Sequence, residues 1–246
     1  QAAVMRVGAA TLAAGLLALV GTLCFFLAFG TDYWLVASDN CGPHTLPTQT
    51  KPIEDGTESV EASPPSLTLH HEGFLWRCGF QVEPTVHATL ATLFTNQPES
   101  KVCIHGYLFP LPVAMGQVPD PSYDATAVFR GFWTVLIILG LVAALTGSFL
   151  LVCGVPFASH KLYTLGGAFL IAAACSFLVT LLLYVLWMEA VDVERYVLQE
   201  RAKECPHAQV SVLYGLSFVV AAAGVPLELV SGMLFMLVGR ALRAAN

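Results

Sequence analysis

Four long apolar runs dominate this sequence and limit the folds that are open to it. They cover residues 7–29, 132–154, 162–187 and 212–238. A helix needs about 20 apolar residues to cross a hydrocarbon layer of roughly 30 Å, and each run is long enough. Because 56% of the residues are hydrophobic and only 11% are charged, lipid must supply much of the apolar environment that the chain needs. The sequence therefore predicts a membrane α-helical fold, a bundle of four transmembrane helices, whose first run is retained as a signal anchor.

The charged residues predict how the bundle is oriented. On one side of the four runs all the charged residues are basic: Arg6, Lys161, Arg240 and Arg243. The other side holds sixteen of the seventeen acidic residues and seven basic ones, a net charge of −9. By the positive-inside rule, both termini, the turn at 155–161 and the tail at 239–246 are predicted to be cytoplasmic in a plasma-membrane protein. No basic surface suited to nucleic acid is present.

The first outer segment, residues 30–131, is too long for a simple connection and needs structure of its own. Its β-branched and aromatic residues predict strands at 32–37, 73–82 and 102–108. Residues 42–65, between the first two strands, are rich in Pro, Ser, Thr and Glu, which predicts a mobile insertion.

Two further helical segments are expected outside the membrane. Residues 87–94 have an apolar pattern that favours a short helix. The second outer segment, 188–211, continues from the third run without Gly or Pro as far as residue 204. The pattern predicts that helix three projects outward until Cys205 and Pro206 end it.

Four of the seven cysteines lie outside the apolar runs: Cys41, Cys78, Cys103 and Cys205. An even number of cysteines in an oxidising compartment indicates two disulfides, for which three connectivities are open. A metal site that uses His70, His71, His105 or His207 is the alternative, but these residues lack the spacing of metal ligands.

Two charged residues are candidates for a special role. Glu228 lies inside the fourth run, where a carboxylate is costly, and Gly224 and Gly232 share its helix face. Three hypotheses stay open for this face: packing within the bundle, contact with a partner helix, or an ion or proton pathway. Arg130, at the outer end of the second run, is interpreted as a structural brace that pairs with Asp32 or Asp124.

A known signature runs through the first outer segment. Trp34 is followed by a block at 73–78 in which Gly73, Leu75, Trp76 and Cys78 stand in order. This resembles the W…GLW…C…C signature of the superfamily that includes claudins, calcium-channel γ subunits and peripheral myelin protein. The resemblance implies a claudin-like fold, with four helices and an extracellular antiparallel β-sheet in the first loop. It also implies that both tryptophans pack at the base of the sheet.

The resemblance also implies a disulfide pairing. The family pattern joins the cysteine after the tryptophan motif to a cysteine on a following strand, which are Cys78 and Cys103 in this sequence. Cys41 and Cys205 then remain for the second bond. Trp133 and Trp187 are interpreted as interfacial aromatic residues at the outer ends of helices two and three.

Within this superfamily the chain is most similar to the transmembrane protein 182 type. The similarity rests on six blocks, at residues 30–35, 71–78, 95–98, 129–133, 156–160 and 211–215. This type implies muscle cells and a context of adhesion or differentiation.

The sequence favours a protein that binds other membrane proteins without catalysing a reaction. The first hypothesis is an accessory protein that modulates a larger partner, either an integrin-type adhesion receptor or an ion-channel subunit, with membrane lipids around it. The alternative is a claudin-like cell–cell adhesion or barrier component that self-associates. An enzyme or transporter is disfavoured because no catalytic or cofactor motif is found and Glu228 has no second intramembrane charge beside it.

Overall fold

The computed structural model describes residues 2–39, 67–82, 102–105, 121–191, 193 and 210–245. The predicted mobile insertion at 42–65 and the predicted helix at 87–94 lie outside these residues. Cys41 and Cys205 also lie outside them, so the second disulfide stays a prediction.

Four helices form the body of the protein. They are α1 (Ala2–Gly30), α2 (Pro121–Phe157), α3 (His160–Ala190) and α4 (Leu216–Ala245). Each contains a stretch that is long and apolar enough to cross a membrane, as the four apolar runs predict. The second helix begins about three turns before the predicted span, because residues 121–131 continue the helix beyond the apolar run.

The helices are arranged in the order α1, α4, α3, α2. Helix α4 packs against both α1 and α3, and α3 also packs against α2. Although α1 and α2 follow one another in the chain, they share little contact. The position of α1 in the bundle therefore depends mainly on its contact with α4.

Five strands form one antiparallel sheet in the order β4-β3-β2-β1-β5. Four come from the first outer segment: β1 (Leu35–Asp39), β2 (Leu67–Glu72), β3 (Trp76–Val82) and β4 (Val102–His105). The fifth, β5 (Val210–Tyr214), precedes α4 and pairs with β1, with Leu35 opposite Tyr214. The sheet thus joins the first outer segment to the second.

Strand β5 corrects the predicted start of the fourth span. Residue 212 was expected to begin that helix, but Val212 lies in β5 and the helix begins at Leu216. Strand β2 was also missed. The predicted strands near 32–37, 73–82 and 102–108 correspond to β1, β3 and β4, although β1 starts later, at Leu35.

The prediction that helix three runs unbroken as far as residue 204 is wrong, because the helix is interrupted at Val191; residues 194–204 lie outside the described part of the chain. Helix α3 ends at Ala190, and Val191 adopts an extended conformation with φ −102° and ψ 134°. The backbone N–H of Val191 still donates to the carbonyl of Trp187, which closes the last turn. Helix α3 therefore does not continue unbroken past Ala190, although Val193 is helical again.

Candidate interaction site at the junction of sheet and bundle

Trp34 connects the sheet to the helices. Its side chain is 1% exposed, and its indole N–H donates to the Ala28 carbonyl at 2.6 Å. Its ring lies edge-on to Phe74, with ring centroids 4.7 Å apart, and against Tyr184 at 5.3 Å. A buried indole needs both an apolar environment and a partner for its N–H, and Trp34 has both. Its predicted place at the base of the sheet agrees with these contacts.

The close packing around residue 73 explains why the signature has a glycine at this position. A Cβ at this position would lie 2.5 Å from the Asp32 Cα and 2.8 Å from the Thr31 carbonyl oxygen. The turn between β2 and β3 can therefore sit directly on the link between α1 and β1 only if residue 73 has no side chain. Phe74 follows it into the core and is 6% exposed.

The second tryptophan of the signature has a different environment. Trp76 is 39% exposed at the start of β3, whereas Trp34 is buried. Trp76 thus lies next to the Gly73 turn at the base of the sheet, but its ring is not packed into the core as that of Trp34 is. Leu75, between Phe74 and Trp76, is half-buried.

Trp133 and Trp187 are core residues and not interfacial ones. They are 3% and 2% exposed, and their rings meet edge-on with centroids 5.5 Å apart. The Trp187 indole N–H donates to the Thr126 hydroxyl at 3.0 Å. Both rings also contact Tyr184, which packs against Trp34 and against Phe218 of α4, so aromatic side chains of three helices meet those of the segment that leads into the sheet.

Glu72 is the centre of a charged cluster that sequence reasoning missed. Its carboxylate accepts from Arg77 on β3, at 2.9 and 3.0 Å, and from Arg130 on α2. All three side chains are about one-sixth exposed. Arg130 is therefore a brace, as interpreted, and it pairs with Glu72, a partner that the sequence did not suggest. The side chain of Asp124 lies outside the described residues.

A second polar group lies where α1 leads into the sheet. The Nδ1 atom of His71 lies 3.2 Å from the Asp32 carbonyl oxygen and 3.3 Å from its carboxylate. Tyr33 stacks on the imidazole, with centroids 4.3 Å apart. Burial and, to a lesser extent, the Asp32 carboxylate raise the pKa of Tyr33, so its phenol is neutral at physiological pH.

The predicted disulfide between Cys78 and Cys103 is confirmed. The sulfurs are 2.06 Å apart and the bond joins paired residues of β3 and β4. Asp32, His71 and Cys78 lie close enough together to resemble a metal-ligand set. Because the Cys78 sulfur is bonded to Cys103, however, it has no thiolate to offer a metal ion. The group therefore ties three segments together and does not form a cysteine-ligated metal centre.

A small cavity lies between these groups. Its volume is about 20 Å³, and its lining is mostly aromatic: Trp34, Glu72, Gly73, Phe74, Arg130, Trp133, Tyr184 and Trp187. A cavity of this size holds about one water molecule. Sites for small-molecule substrates are typically ~300 Å³ or larger. The junction is therefore a packed structural joint and not a substrate pocket.

The Glu228 face packs inside the bundle. Glu228 is fully buried and accepts a hydrogen bond of 2.5 Å from Thr22 of α1. A Cβ at Gly224 would lie 2.8 Å from the Phe25 ring of α1, and one at Gly232 would lie 2.7 Å from both a backbone and a side-chain atom of α3. Among the three hypotheses, packing within the bundle fits these contacts. The proposed contact with a partner helix is wrong, because this face is covered by the protein's own helices.

Comparison with known proteins extends over nearly the whole chain. A family profile described as PMP-22/EMP/MP20/Claudin tight junction matches residues 19–237. Transmembrane protein 182 from Mus musculus is 43% identical over 239 residues, which cover 96% of this chain and 97% of that relative. The protein of the same name from Homo sapiens is 42% identical over 238 residues, with coverage of 96% and 97%. That from Gallus gallus is 43% identical over 233 residues, with coverage of 93% and 94%.

Proposed function

The chain belongs to the PMP-22/EMP/MP20/claudin family of membrane proteins, and from this premise we propose that it is a non-enzymatic accessory protein of the plasma membrane. It binds a larger membrane protein, an integrin-type adhesion receptor or an ion-channel subunit, and modulates it in muscle cells. The sheet lies outside the cell and both termini lie in the cytoplasm.

The observation that carries this proposal is that the polar side chains between sheet and bundle bind one another. Glu72 holds two arginines, His71 contacts Asp32, and Cys78 is bonded to Cys103. These groups connect α1, α2 and three strands to one another. Among the described residues, the cavity beside these groups has a volume of only about 20 Å³, which is too small for a substrate. A protein built in this way acts through its surfaces.

The short connection between α2 and α3 supports the same conclusion. Helix α2 ends at Phe157 and α3 begins at His160, so only two residues join them. This connection leaves no room for a signalling domain at that point. The sheet and the lateral faces of the helices are then the described surfaces through which the protein influences a partner.

The charge of the outer segments suggests the kind of partner surface. With the sheet outside, these segments carry a net charge of −9. Electrostatic complementarity speeds association and selects partners, so a basic patch on the partner's outer domain would fit.

Photocrosslinking in cultured myotubes tests this proposal. A photoreactive amino acid is placed at Val102 on β4, which is 70% exposed, and at Phe149 on α2, which is 68% exposed. Ile137, which is fully buried, is the matched control. We expect an adduct with one larger membrane protein from an exposed position and none from Ile137. Adducts only between copies of this chain would favour the adhesion or barrier alternative and contradict the proposal.

A further inference from the structure

Strand β5 is an edge strand of the described sheet and leads directly into a membrane span. Only Gly215 separates Tyr214, the last residue of β5, from Leu216, the first residue of α4. Leu216 is 67% exposed and lies at the start of the apolar stretch of α4. The end of β5 is therefore held near the boundary between lipid and water.

The residues before this boundary are apolar and exposed. Leu213 is 65% exposed and Tyr214 is 40% exposed. Residues 206–227 contain no Asp, Glu, Lys or Arg. An exposed strand without charge is unusual at a sheet edge in water, because such edges invite pairing with other chains and are usually guarded by charges.

The orientation of β5 relative to the span is fixed by backbone contacts. The N–H of Gly215 donates to the Trp34 carbonyl and that of Ser217 to the Tyr33 carbonyl, both at 2.9 Å. A Cβ at Gly215 would overlap the Tyr33 carbonyl, so the junction closes tightly only with glycine. β5 therefore cannot swing away from the membrane independently of the sheet.

Distances along the chain keep the exposed residues at or near the headgroup layer. A strand advances about 3.3 Å per residue, so Leu213 lies within about 10 Å of Leu216. The headgroup region on each side of the hydrocarbon core is about 5 to 8 Å thick. Tyr214, which packs on Phe218 of α4 with centroids 4.8 Å apart, has the amphipathic ring that this layer favours.

We propose that the end of β5 is a lipid-binding edge, with Leu213 and Tyr214 inserted at the boundary between headgroups and acyl chains. The lipid-facing surface of α4, marked by Leu216 and by Val219 at 55% exposure, continues without a charged residue into these side chains. Lipid then covers the edge of the sheet that would otherwise pair with another strand. The sheet is held to the membrane at this edge, independently of any protein partner.

Depth-dependent fluorescence quenching tests this proposal. A fluorescent amino acid is incorporated at Leu213, at Tyr214 or at Ser211, and the full chain is reconstituted in phosphatidylcholine vesicles. The vesicles contain lipid brominated near the headgroup end of the acyl chains, and iodide is added in water as the second quencher. Ser211 is the matched control, because it is exposed on the same strand but lies about 7 Å farther from α4 than Leu213 does.

We expect brominated lipid to quench the fluorophore at 213 and 214 at least twofold more than at 211, and iodide to show the reverse order. Equal quenching by iodide at 211 and 213 would overturn the proposal, because the edge would then face water. Shielding of 213 from both quenchers would also overturn it, because a protein would cover the edge. If this shielding fell on dilution of the protein in lipid, the covering protein would be a second copy of this chain.

Discussion

The α1–α4 and α2–α3 interfaces rely on hydrogen bonds to different extents. Between α1 and α4, hydrogen bonds occur at three levels: Thr31 with Ser217 at 2.7 Å, Thr22 with Glu228 at 2.5 Å, and Ser231 with the Ala14 carbonyl at 2.8 Å. Between α2 and α3, one described hydrogen bond, from Trp187 to Thr126, lies at the outer end, and glycines let the backbones approach farther in. A Cβ at Gly147 would lie 2.9 Å from the Gly166 carbonyl oxygen. In lipid, where helices gain little from the hydrophobic effect, both close packing and hydrogen bonds can join them.

The difference follows from the arrangement of the helices. Helix α1 shares little contact with α2 and depends on α4, so polar groups fix its position along α4. Helix α3 packs between α2 and α4, so close packing on both sides fixes its position. The comparison teaches that the intramembrane polar residues of this chain serve its own assembly, whereas the sequence alone left a partner helix or an ion pathway open for Glu228.

The largest expected effect comes from filling the α2–α3 contact. Gly147→Leu forces a side chain against the backbone of α3, which cannot move aside without separating the helices. Overpacking of this kind costs about 3 kcal/mol or prevents folding. Gly15→Leu is the matched control, because nothing lies within 4 Å of a Cβ at Gly15.

Thermal unfolding in detergent, followed by size-exclusion fluorescence, measures both variants. We expect Gly147→Leu to lose the monodisperse peak and Gly15→Leu to keep it at the wild-type midpoint. Gly147→Ala should lie between them. Equal behaviour of the variants at 147 and 15 would contradict the packing described for α2 and α3.

A smaller effect is expected when all three α1–α4 hydrogen bonds are removed. The triple variant Thr22→Val, Ser217→Ala, Ser231→Ala keeps the shape of the interface but loses its polar contacts. Interhelical hydrogen bonds in membranes contribute on average about 0.6 kcal/mol each, so the total is about 2 kcal/mol. The same unfolding assay should show a lower midpoint with the fold retained, and an unchanged midpoint would show that packing alone holds α1.

The smallest effect is expected for Glu228→Gln. Glutamine has the same shape, and its carbonyl oxygen can accept from Thr22, so the change in stability should stay below about 0.6 kcal/mol. Glu228→Ala, which leaves a cavity, should cost more. Because Glu228 is fully buried, neither variant should alter the recovery of a crosslinked partner at equal protein level. Loss of that partner with Glu228→Gln alone would restore the partner-helix hypothesis.

Much of the fold could be predicted because its signals are local. The apolar runs are long enough to indicate four spans, and the signature around Gly73 and Trp76 indicates the sheet and the disulfide partner of Cys78. Strand β5 was hidden because Val212, Leu213 and Tyr214 are apolar in a way that suits a strand or the first turn of a membrane helix. The end of α3 at Ala190 has no Gly or Pro to mark it.

The side-chain partners were harder to predict for a different reason. Trp133 and Trp187 lie on helices that are apolar on every side, so their positions along the membrane were evident but the direction they face was not. Arg130 has a long side chain that reaches several acids, and only the fold shows that Glu72 is its partner. Position along a chain is local information, whereas pairing depends on how separate segments meet.

The proposed function depends most directly on the sheet lying outside the cell. Variants that each add one cysteine, Ser211→Cys on β5 and Arg243→Cys near the end of α4, can be treated with a membrane-impermeant maleimide on intact cells. The unmutated chain is the control, because it gives the background labelling from the native cysteines. We expect residue 211 to react in intact cells and residue 243 only after permeabilisation. Labelling of 243 without permeabilisation, together with protection of 211, would invert the topology and contradict the account.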